Sequence, residues 1–175
     1  MSQQPTQTLP PGFQLGSYRI ERQLSHGGFS IVYLAEDEQG TPVAIKEYLP
    51  ARLARREAGE VVPVIAEMNQ AAFQQGMKSF FEEGRLLANL DHPNVVRVLN
   101  FFRANGTAYL VMRYERGRTL QEHIQRHPGT LGETFIRNVF ARLLNGLREI
   151  HTRKLLHLDI KPANIYLRMD GHPVL

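Results

Sequence analysis

The run His-Leu-Asp-Ile-Lys-Pro-Ala-Asn at residues 157–164 constrains this chain more than any other stretch. It places an acid at Asp159, a lysine two residues later at Lys161 and an amide at Asn164. Asp and Asn commonly serve polar turns, so a plain loop after a helix would explain part of the pattern. The alternative is a site in which the three side chains act together, and a motif of that kind needs support from the rest of the chain.

Composition limits the classes of protein to which the chain can belong. With 175 residues, 42% of them hydrophobic, it is long enough for one ordinary domain with its own core. The 21 Lys and Arg residues are interspersed with 17 Asp and Glu, so no nucleic-acid partner is expected. The absence of cysteine excludes disulfide bonds, a thiolate nucleophile and Cys-ligated zinc. No apolar run approaches the about 18 residues of a membrane span and no signal peptide is apparent, so we expect a cytoplasmic chain without a membrane segment.

The hydrophobic pattern predicts a small antiparallel sheet followed by helices. Residues 1–16 are rich in Gln, Thr, Pro and Gly and are predicted to be a flexible leader. An apolar stripe predicts a helix from Phe73 to near Leu90, and further stripes predict a short helix over residues 119–127 and a long one over residues 135–150. Short apolar runs between turn signals predict five strands, at residues 18–24, 30–35, 42–48, 95–102 and 108–114.

A lysine and a glutamate upstream are candidates for an ion pair. In the strand run Val-Ala-Ile-Lys, alternation puts Ala44 and Lys46 on the same face. A lysine on an inner face needs an anion, although a lysine at a strand end can also extend into water. Glu83 lies three residues after Phe80, on the helix stripe that faces the sheet, where an unpaired carboxylate is costly. Glu83 is therefore the expected partner of Lys46.

Together these motifs resemble those of bacterial eukaryotic-like (Hanks-type) serine/threonine protein kinases, over residues 17–175. The resemblance is carried by a glycine-containing loop, a Val-Ala-Ile-Lys strand, the helix glutamate, a His-Pro pair, a strand that leads to a charged linker and the loop that contains Asp159. It implies a bilobal α+β fold, with a five-stranded antiparallel N-lobe sheet and helix C over residues 17–112. The hinge and the first part of a mainly helical C-lobe would occupy residues 113–175.

The resemblance also implies an activity and roles for named residues. The activity is ATP-dependent, Mg²⁺-dependent phosphorylation of a protein Ser or Thr hydroxyl. Asp159 would orient or deprotonate the acceptor hydroxyl, Lys161 would neutralise the γ-phosphate and Asn164 would coordinate Mg²⁺. Lys46, paired with Glu83, would orient the ATP phosphates. The other ATP-binding residues that the resemblance implies are Leu24, Gly27, Gly28, Val32, Ala44, the gatekeeper Met112, the hinge backbone at Arg113 and Glu115, and Tyr166 beneath the adenine.

The chain departs from the family pattern in three places. Of the three glycines in the nucleotide loop Gly27 is kept, whereas Ser25 and Ser30 replace the outer two. Leu158 replaces the arginine that commonly precedes the catalytic aspartate, as in non-RD kinases. The chain ends at Leu175, about two residues before the expected Asp-Phe-Gly motif and its magnesium ligand. We therefore expect the 175 residues alone to be inactive, and a pseudokinase-type nucleotide-binding or interaction module is the alternative.

Two other clusters give weaker signals. His123 and His127 are four residues apart on a predicted helix, but without a third ligand exposed polar residues are favoured over a zinc site. Arg52, Arg55 and Arg56 predict a solvent-exposed basic face, with docking of an acidic partner as the alternative.

Overall fold

The computed structural model describes residues 7–129 and 131–175, which divide into two compact units. The described N-terminal unit comprises residues 7–89 and 98–114, and the C-terminal unit comprises residues 90–97 and 115–175. The division after residue 114 lies close to the predicted hinge.

The N-terminal unit is built on a six-stranded antiparallel sheet with the strand order β1-β2-β3-β4-β8-β7. It contains the five predicted strands, β2, β3, β4, β7 and β8, and the predicted helix C, α1. A second ladder pairs β5 with β6 in the segment that joins β4 to α1. The elements are β1 (Gln14–Leu15), β2 (Tyr18–His26), β3 (Ser30–Glu36), β4 (Pro42–Tyr48), β5 (Ala54–Arg55), β6 (Val64–Ile65), α1 (Gln70–Leu87), β7 (Val98–Ala104) and β8 (Thr107–Arg113).

The structure differs from the expected flexible leader over residues 1–16. Its described part forms β1, and Leu9 and Leu15 are only 2% and 1% exposed. Gly16, with φ of 59°, supplies the turn that folds β1 back against β2. Polar composition predicted a leader because it averages over the segment, whereas two well-placed leucines are enough to anchor it to the core. Residues 1–6 lie outside the described residues.

Helix α1 packs closely on the sheet through a glycine. The Tyr48 ring lies with its centroid 5.2 Å from that of Phe73 and 5.6 Å from that of Phe80, both on α1. Gly76 lies between these two phenylalanines along the helix, and a Cβ atom added there would overlap Tyr48 Oη. The absence of a side chain at Gly76 thus sets how closely α1 approaches β4.

Substitution of Gly76 by alanine is expected to destabilise the protein by about 1–3 kcal/mol, because overpacking outweighs the gain in helix propensity. The free energy of unfolding, measured by urea denaturation, checks this. In a Tyr48→Phe background, which removes the overlapping hydroxyl and leaves the ring carbon Cζ at 3.0 Å, the alanine should cost less. An equal loss in both backgrounds would show that the Tyr48 contact does not set the approach of the helix.

The C-terminal unit combines two helices with a three-stranded antiparallel sheet of order β11-β10-β9. Helix α2 begins with a capping box, in which Thr119 and Glu122 each bond the other's backbone amide. Asn94 ties the 90–97 segment to the end of the chain, since its Nδ2 donates to Pro173 O at 2.8 Å. The elements are β9 (Gly117–Thr119), α2 (Leu120–Arg126), α3 (Glu133–Thr152), β10 (Tyr166–Arg168) and β11 (Pro173–Val174).

The apolar stripe of α3 is buried on one side and exposed on the other. Its buried positions include Val139 and Leu143, whereas Ile136, Phe140 and Leu144 are 41%, 45% and 62% exposed. In the described part of the chain, no helix is both long and apolar enough to span a bilayer.

Candidate active site

Strand register in the N-terminal unit brings four predicted ATP-binding residues onto one sheet face. Val32 of β3 lies opposite Lys46 of β4, and Ala44 of β4 lies opposite Met112 of β8. Directly opposite residues share a face, and so do residues two apart along a strand. Leu24 occupies an irregularity in β2, where the register with β3 shifts between Gln23 and Ser25. The resulting surface is apolar except for Lys46.

Lys46 and Glu83 line one cleft but are not joined. The cleft has a volume of about 250 Å³. Lys46 Nζ lies 5.9 Å from the centroid of the Phe80 ring, within range of a cation–π contact. In the described ranges, no carboxylate oxygen lies within 4.0 Å of Lys46 Nζ, so the Lys46–Glu83 ion pair stays a prediction. The other lining residues are Phe29, Ser30, Tyr48, Gly76, Ser79 and Phe80.

The glycine loop, residues 24–32, is fixed by backbone hydrogen bonds at its tip. Gly27 N donates to Ser30 O at 2.9 Å and closes the turn between β2 and β3. Both Gly27 and Gly28 are exposed, and neither has a positive φ. A Cβ atom at Gly28 would meet nothing within 4 Å, and one at Gly27 would lie 3.6 Å from Ser30 O, an ordinary contact. Neither glycine is therefore required by a close approach or by backbone strain.

The three predicted residues of the catalytic loop come together in the C-terminal unit. Lys161 Nζ lies 2.8 Å from Asp159 Oδ2. Asn164 Nδ2 donates to the same oxygen at 2.7 Å and to Asp159 O at 2.9 Å. A 3₁₀ turn over Pro162–Asn164 returns the chain so that Asn164 can reach back to Asp159. The Asp159 carboxylate is thus held by two side chains that follow it in sequence.

The residue before Asp159 has an unusual backbone conformation. Leu158 has φ of 60°, in the left-handed region that costs a non-glycine residue about 1–3 kcal/mol. Its side chain is 87% exposed. Asp159 N donates to His157 O at 2.9 Å across this residue. The strained turn at Leu158 therefore sets the direction in which the Asp159 backbone enters the loop.

The hydrogen bond from Lys161 lowers the pKa of Asp159 below its ordinary value of 3.8, and that from Asn164 acts in the same direction. The carboxylate is therefore ionised at neutral pH. Because the pKa is lowered on folding, the favourable interaction is complete above the ordinary pKa and is lost as the pH falls through the lowered value.

Replacing Lys161 by methionine is expected to raise the pKa of Asp159 towards its ordinary value, since the largest stabilising contact of the carboxylate is removed. An NMR titration of the Asp159 carboxyl carbon measures the shift. Lys154→Met, at an exposed lysine between α3 and Asp159, should leave the Asp159 titration unchanged. A Lys161→Met protein with an unaltered Asp159 titration would contradict the pairing.

The remaining predicted residues lie at the ends of strands or, for Glu115, between two strands. Arg113 ends β8 and is exposed. Glu115 begins the C-terminal stretch, and its Oε1 lies 3.0 Å from Arg168 Nη2. Tyr166 is half-buried in β10, paired with Val174 of β11 on one side and with β9 on the other.

One buried cluster was missed by the sequence analysis. The guanidinium of Arg56 donates to both carboxylate oxygens of Glu47, and both side chains are 0% exposed. The hydroxyls of Tyr33 and Tyr109 also donate to this carboxylate, each at 2.7 Å. We call these four residues the Glu47 cluster. The alternation of side chains along β4 could have indicated this cluster. Because Lys46 faces one side of the strand, Glu47 must face the opposite side, which is otherwise apolar.

The prediction of an exposed basic face after Lys46 is wrong for one of its three arginines. Arg52 and Arg55 are exposed, but Arg56 is buried. Burial alone would lower the pKa of Arg56, but hydrogen bonds and attraction from Glu47 outweigh it, so that the pKa is raised. A pattern of adjacent arginines cannot distinguish the one that has a carboxylate partner.

His123 of α2 and His127, which directly follows that helix, are engaged in packing. The ring of His123 lies 4.3 Å from that of His127 and stacks on Phe135 at 4.8 Å. Among the described residues, no group of three or more potential metal ligands is present.

The protein kinase domain family matches residues 18–175, and the chain belongs to this family. It is 34% identical over 158 residues to the probable serine/threonine-protein kinase pknA2 of Bifidobacterium longum, which covers 90% of this chain and 19% of pknA2. It is 30% identical over 161 residues to the serine/threonine-protein kinase PknA of Nostoc, which covers 90% of this chain and 26% of PknA.

Solved structures show the same fold. The structure described as "PpkA-294 apo form" superposes with a TM-score of 0.90 at 36% identity, over 96% of this chain and 60% of that one. The kinase domain of Mycobacterium tuberculosis PknI gives a TM-score of 0.77 at 24% identity. The predicted α+β kinase fold, an N-lobe followed by the start of a C-lobe, is confirmed. The chain thus spans 60% of the PpkA structure and a smaller share of the curated relatives.

Proposed function

We propose that the whole protein transfers the γ-phosphoryl group of ATP to a Ser or Thr hydroxyl of a protein substrate. The observation that carries the proposal is the convergence of Lys161 and Asn164 on the Asp159 carboxylate, in a chain of the protein kinase family. ATP and Mg²⁺ are the usual substrate and cofactor of this family. Because cytoplasm supplies ATP, we place the domain there.

In the proposed mechanism, Asp159 acts on the acceptor hydroxyl. Its carboxylate is ionised and its side chain is 61% exposed, so an incoming hydroxyl can donate a hydrogen bond to it. This contact would orient the hydroxyl oxygen and take up its proton during transfer. Lys161, already beside Asp159, would supply positive charge to the γ-phosphoryl oxygens.

Asn164 fits the role of a magnesium ligand. Its amide nitrogen donates to Asp159, which fixes the side-chain orientation and leaves the amide oxygen as the atom that can bind a cation. Mg²⁺ prefers oxygen ligands and keeps several water or phosphate ligands, so one amide oxygen suits part of its coordination shell. When bound, Mg²⁺ would neutralise charge on the phosphate oxygens.

The proposed nucleotide contacts follow from the sheet face and the resemblance. The apolar side chains of Leu24, Val32, Ala44 and Met112 would contact the base, and Lys46 would bind phosphate oxygens. The backbone at Gly27 and Gly28 would lie over the phosphates. By resemblance, the hinge backbone at Arg113 and Glu115 and the ring of Tyr166 would contact the adenine.

Transfer from γ-labelled ATP, followed by analysis of the labelled amino acids, tests the proposal on the whole protein. We expect magnesium-dependent formation of phosphoserine or phosphothreonine. Label on tyrosine alone would overturn the acceptor class.

A pseudokinase-type nucleotide-binding module is the second candidate. It is favoured by Lys46, which has no carboxylate within 4.0 Å in the described part of the chain. Ser25 and Ser30 in the glycine loop point in the same direction. ATP binding without any transfer by the whole protein would support this candidate.

A further inference from the structure

We propose that the Glu47–Arg56 pair positions the glycine loop for nucleotide binding. The proposal rests on the proposed nucleotide site and adds residues outside the family motifs discussed above. It would make Glu47 and Arg56 positioning residues that act through the backbone rather than through contact with ATP.

Arg56 is held in a single orientation by several acceptors. Besides Glu47, it donates through Nε to Val61 O at 2.8 Å and through Nη1 to Gln7 O at 3.4 Å. Gln7 N in turn donates to Arg56 O at 3.0 Å. A guanidinium presents its donors in a rigid planar fork, so this set fixes Arg56 relative to both the strand and the leader. The segment that carries Arg56 is thereby tied to β4.

One connection from the pair to the glycine loop runs along β4. Glu47 follows Lys46 directly, and it lies opposite Ile31 in the ladder with β3. Tyr48, the next residue, lies opposite Ser30, on the C-terminal side of the loop. Fixing the Glu47 side chain thus fixes the strand end that holds both Lys46 and the C-terminal side of the loop.

The second connection runs through residues 49–54, between β4 and Arg56. Leu49 N donates to Phe29 O at 3.1 Å, and Ala51 N donates to Gly28 O at 3.0 Å. Ala54 N donates to Pro50 O at 3.0 Å, which makes this segment a compact turn. The segment is anchored at one end by β4 and at the other by Arg56. The carbonyls of Gly28 and Phe29 at the loop tip therefore accept hydrogen bonds from residues 49–54. The position of that segment depends in turn on the buried Glu47–Arg56 pair.

Burial alone does not require an ion pair here. Apolar side chains of similar volume can replace a buried pair with little loss of stability, whereas an arginine and a glutamate bonded through two donors also fix distance and orientation. The loop tip is exposed at Gly27 and Gly28, whose lack of side chains leaves its placement to backbone bonds. The Glu47–Arg56 pair is suited to hold residues 49–54, which bind the loop tip, in one position.

The test compares Arg56→Lys with the matched control Arg55→Lys at the adjacent exposed arginine. Lysine keeps the charge but cannot reproduce the planar fork of hydrogen bonds. Hydrogen exchange of the Leu49 and Ala51 amides and the Kd for MgATP are measured on the purified protein. We expect Arg56→Lys to speed exchange at both amides about tenfold and to raise the Kd about three- to tenfold, with Arg55→Lys unchanged.

The outcomes distinguish this proposal from a role in stability alone and from the proposed function. Unchanged exchange at Leu49 and Ala51, or an increase shared equally by all slowly exchanging amides, would overturn it. If the unsubstituted protein binds no MgATP, the proposed function fails, and with it the loop's role in nucleotide binding. The exchange rates of the Leu49 and Ala51 amides would still show whether the Glu47–Arg56 pair holds the segment that binds the loop. Should Arg56→Lys not fold, Glu47→Asp, which retains the charge and shortens the side chain, decides by the same two measurements.

Discussion

Replacing Asp159 by asparagine is expected to lower kcat for phosphoryl transfer by the whole protein about 10²- to 10⁴-fold, the usual contribution of a positioned general base. Asparagine keeps the size of the side chain and can accept hydrogen bonds from Lys161 and Asn164. It cannot take up the proton of the acceptor hydroxyl. The KM for ATP should change little, because Asp159 is proposed to contact the acceptor.

The matched control is Asp170→Asn in the same unit. Asp170 is also an exposed carboxylate, and the backbone hydrogen bond from His172 lowers its pKa as well. Its replacement should leave kcat within about twofold, as expected for a surface substitution. Equal activities of the Asp159→Asn and unsubstituted proteins would contradict the role given to Asp159.

Replacing Glu47 by alanine is expected to lower the free energy of unfolding by about 3–5 kcal/mol, the cost of removing one partner from a buried ion pair. Arg56 would remain buried without its carboxylate. The hydroxyls of Tyr33 and Tyr109 would lose the acceptor that both now share. Urea or thermal denaturation measures the loss.

Two further variants distinguish the effect of leaving Arg56 unpaired from the effect of removing a carboxylate side chain. Glu57→Ala removes a carboxylate that is 51% exposed and paired with Arg55, so its loss should cost about 0–1 kcal/mol. The double variant Glu47→Leu/Arg56→Met should be more stable than Glu47→Ala, because no unpaired charge remains. If Glu47→Ala proves no more harmful than Glu57→Ala, the buried pair does not stabilise the fold as described.

The sequence predicted elements wherever a local pattern carried the information. Alternation and turn residues located β2, β3, β4 and β8, and spacing of three and four residues located α1 and α3. The same alternation placed Lys46 on the face that the structure gives it. The association of Asp159 with Asn164 was also predictable in outline, because both lie in one short loop.

Features that depend on distant partners could not be predicted in this way. Leu9 is buried although its neighbours are polar, since its environment is supplied by strands far along the chain. Arg56 resembles Arg55 in sequence, but its partners include Glu47 on the sheet and the backbone of the leader. The approach of α1 to β4 depends on Gly76 meeting Tyr48, which no local pattern reports.

Calorimetric titration of the chain with ATP, with and without Mg²⁺, tests the central claim most directly. We predict magnesium-dependent binding that weakens about 10- to 100-fold in Lys46→Ala, since a charged contact to phosphate is lost. Lys78→Ala, at an exposed lysine of α1, should bind as the unsubstituted chain does. Absence of binding, or equal binding by the Lys46→Ala protein, would contradict the account of a kinase nucleotide site built around Lys46.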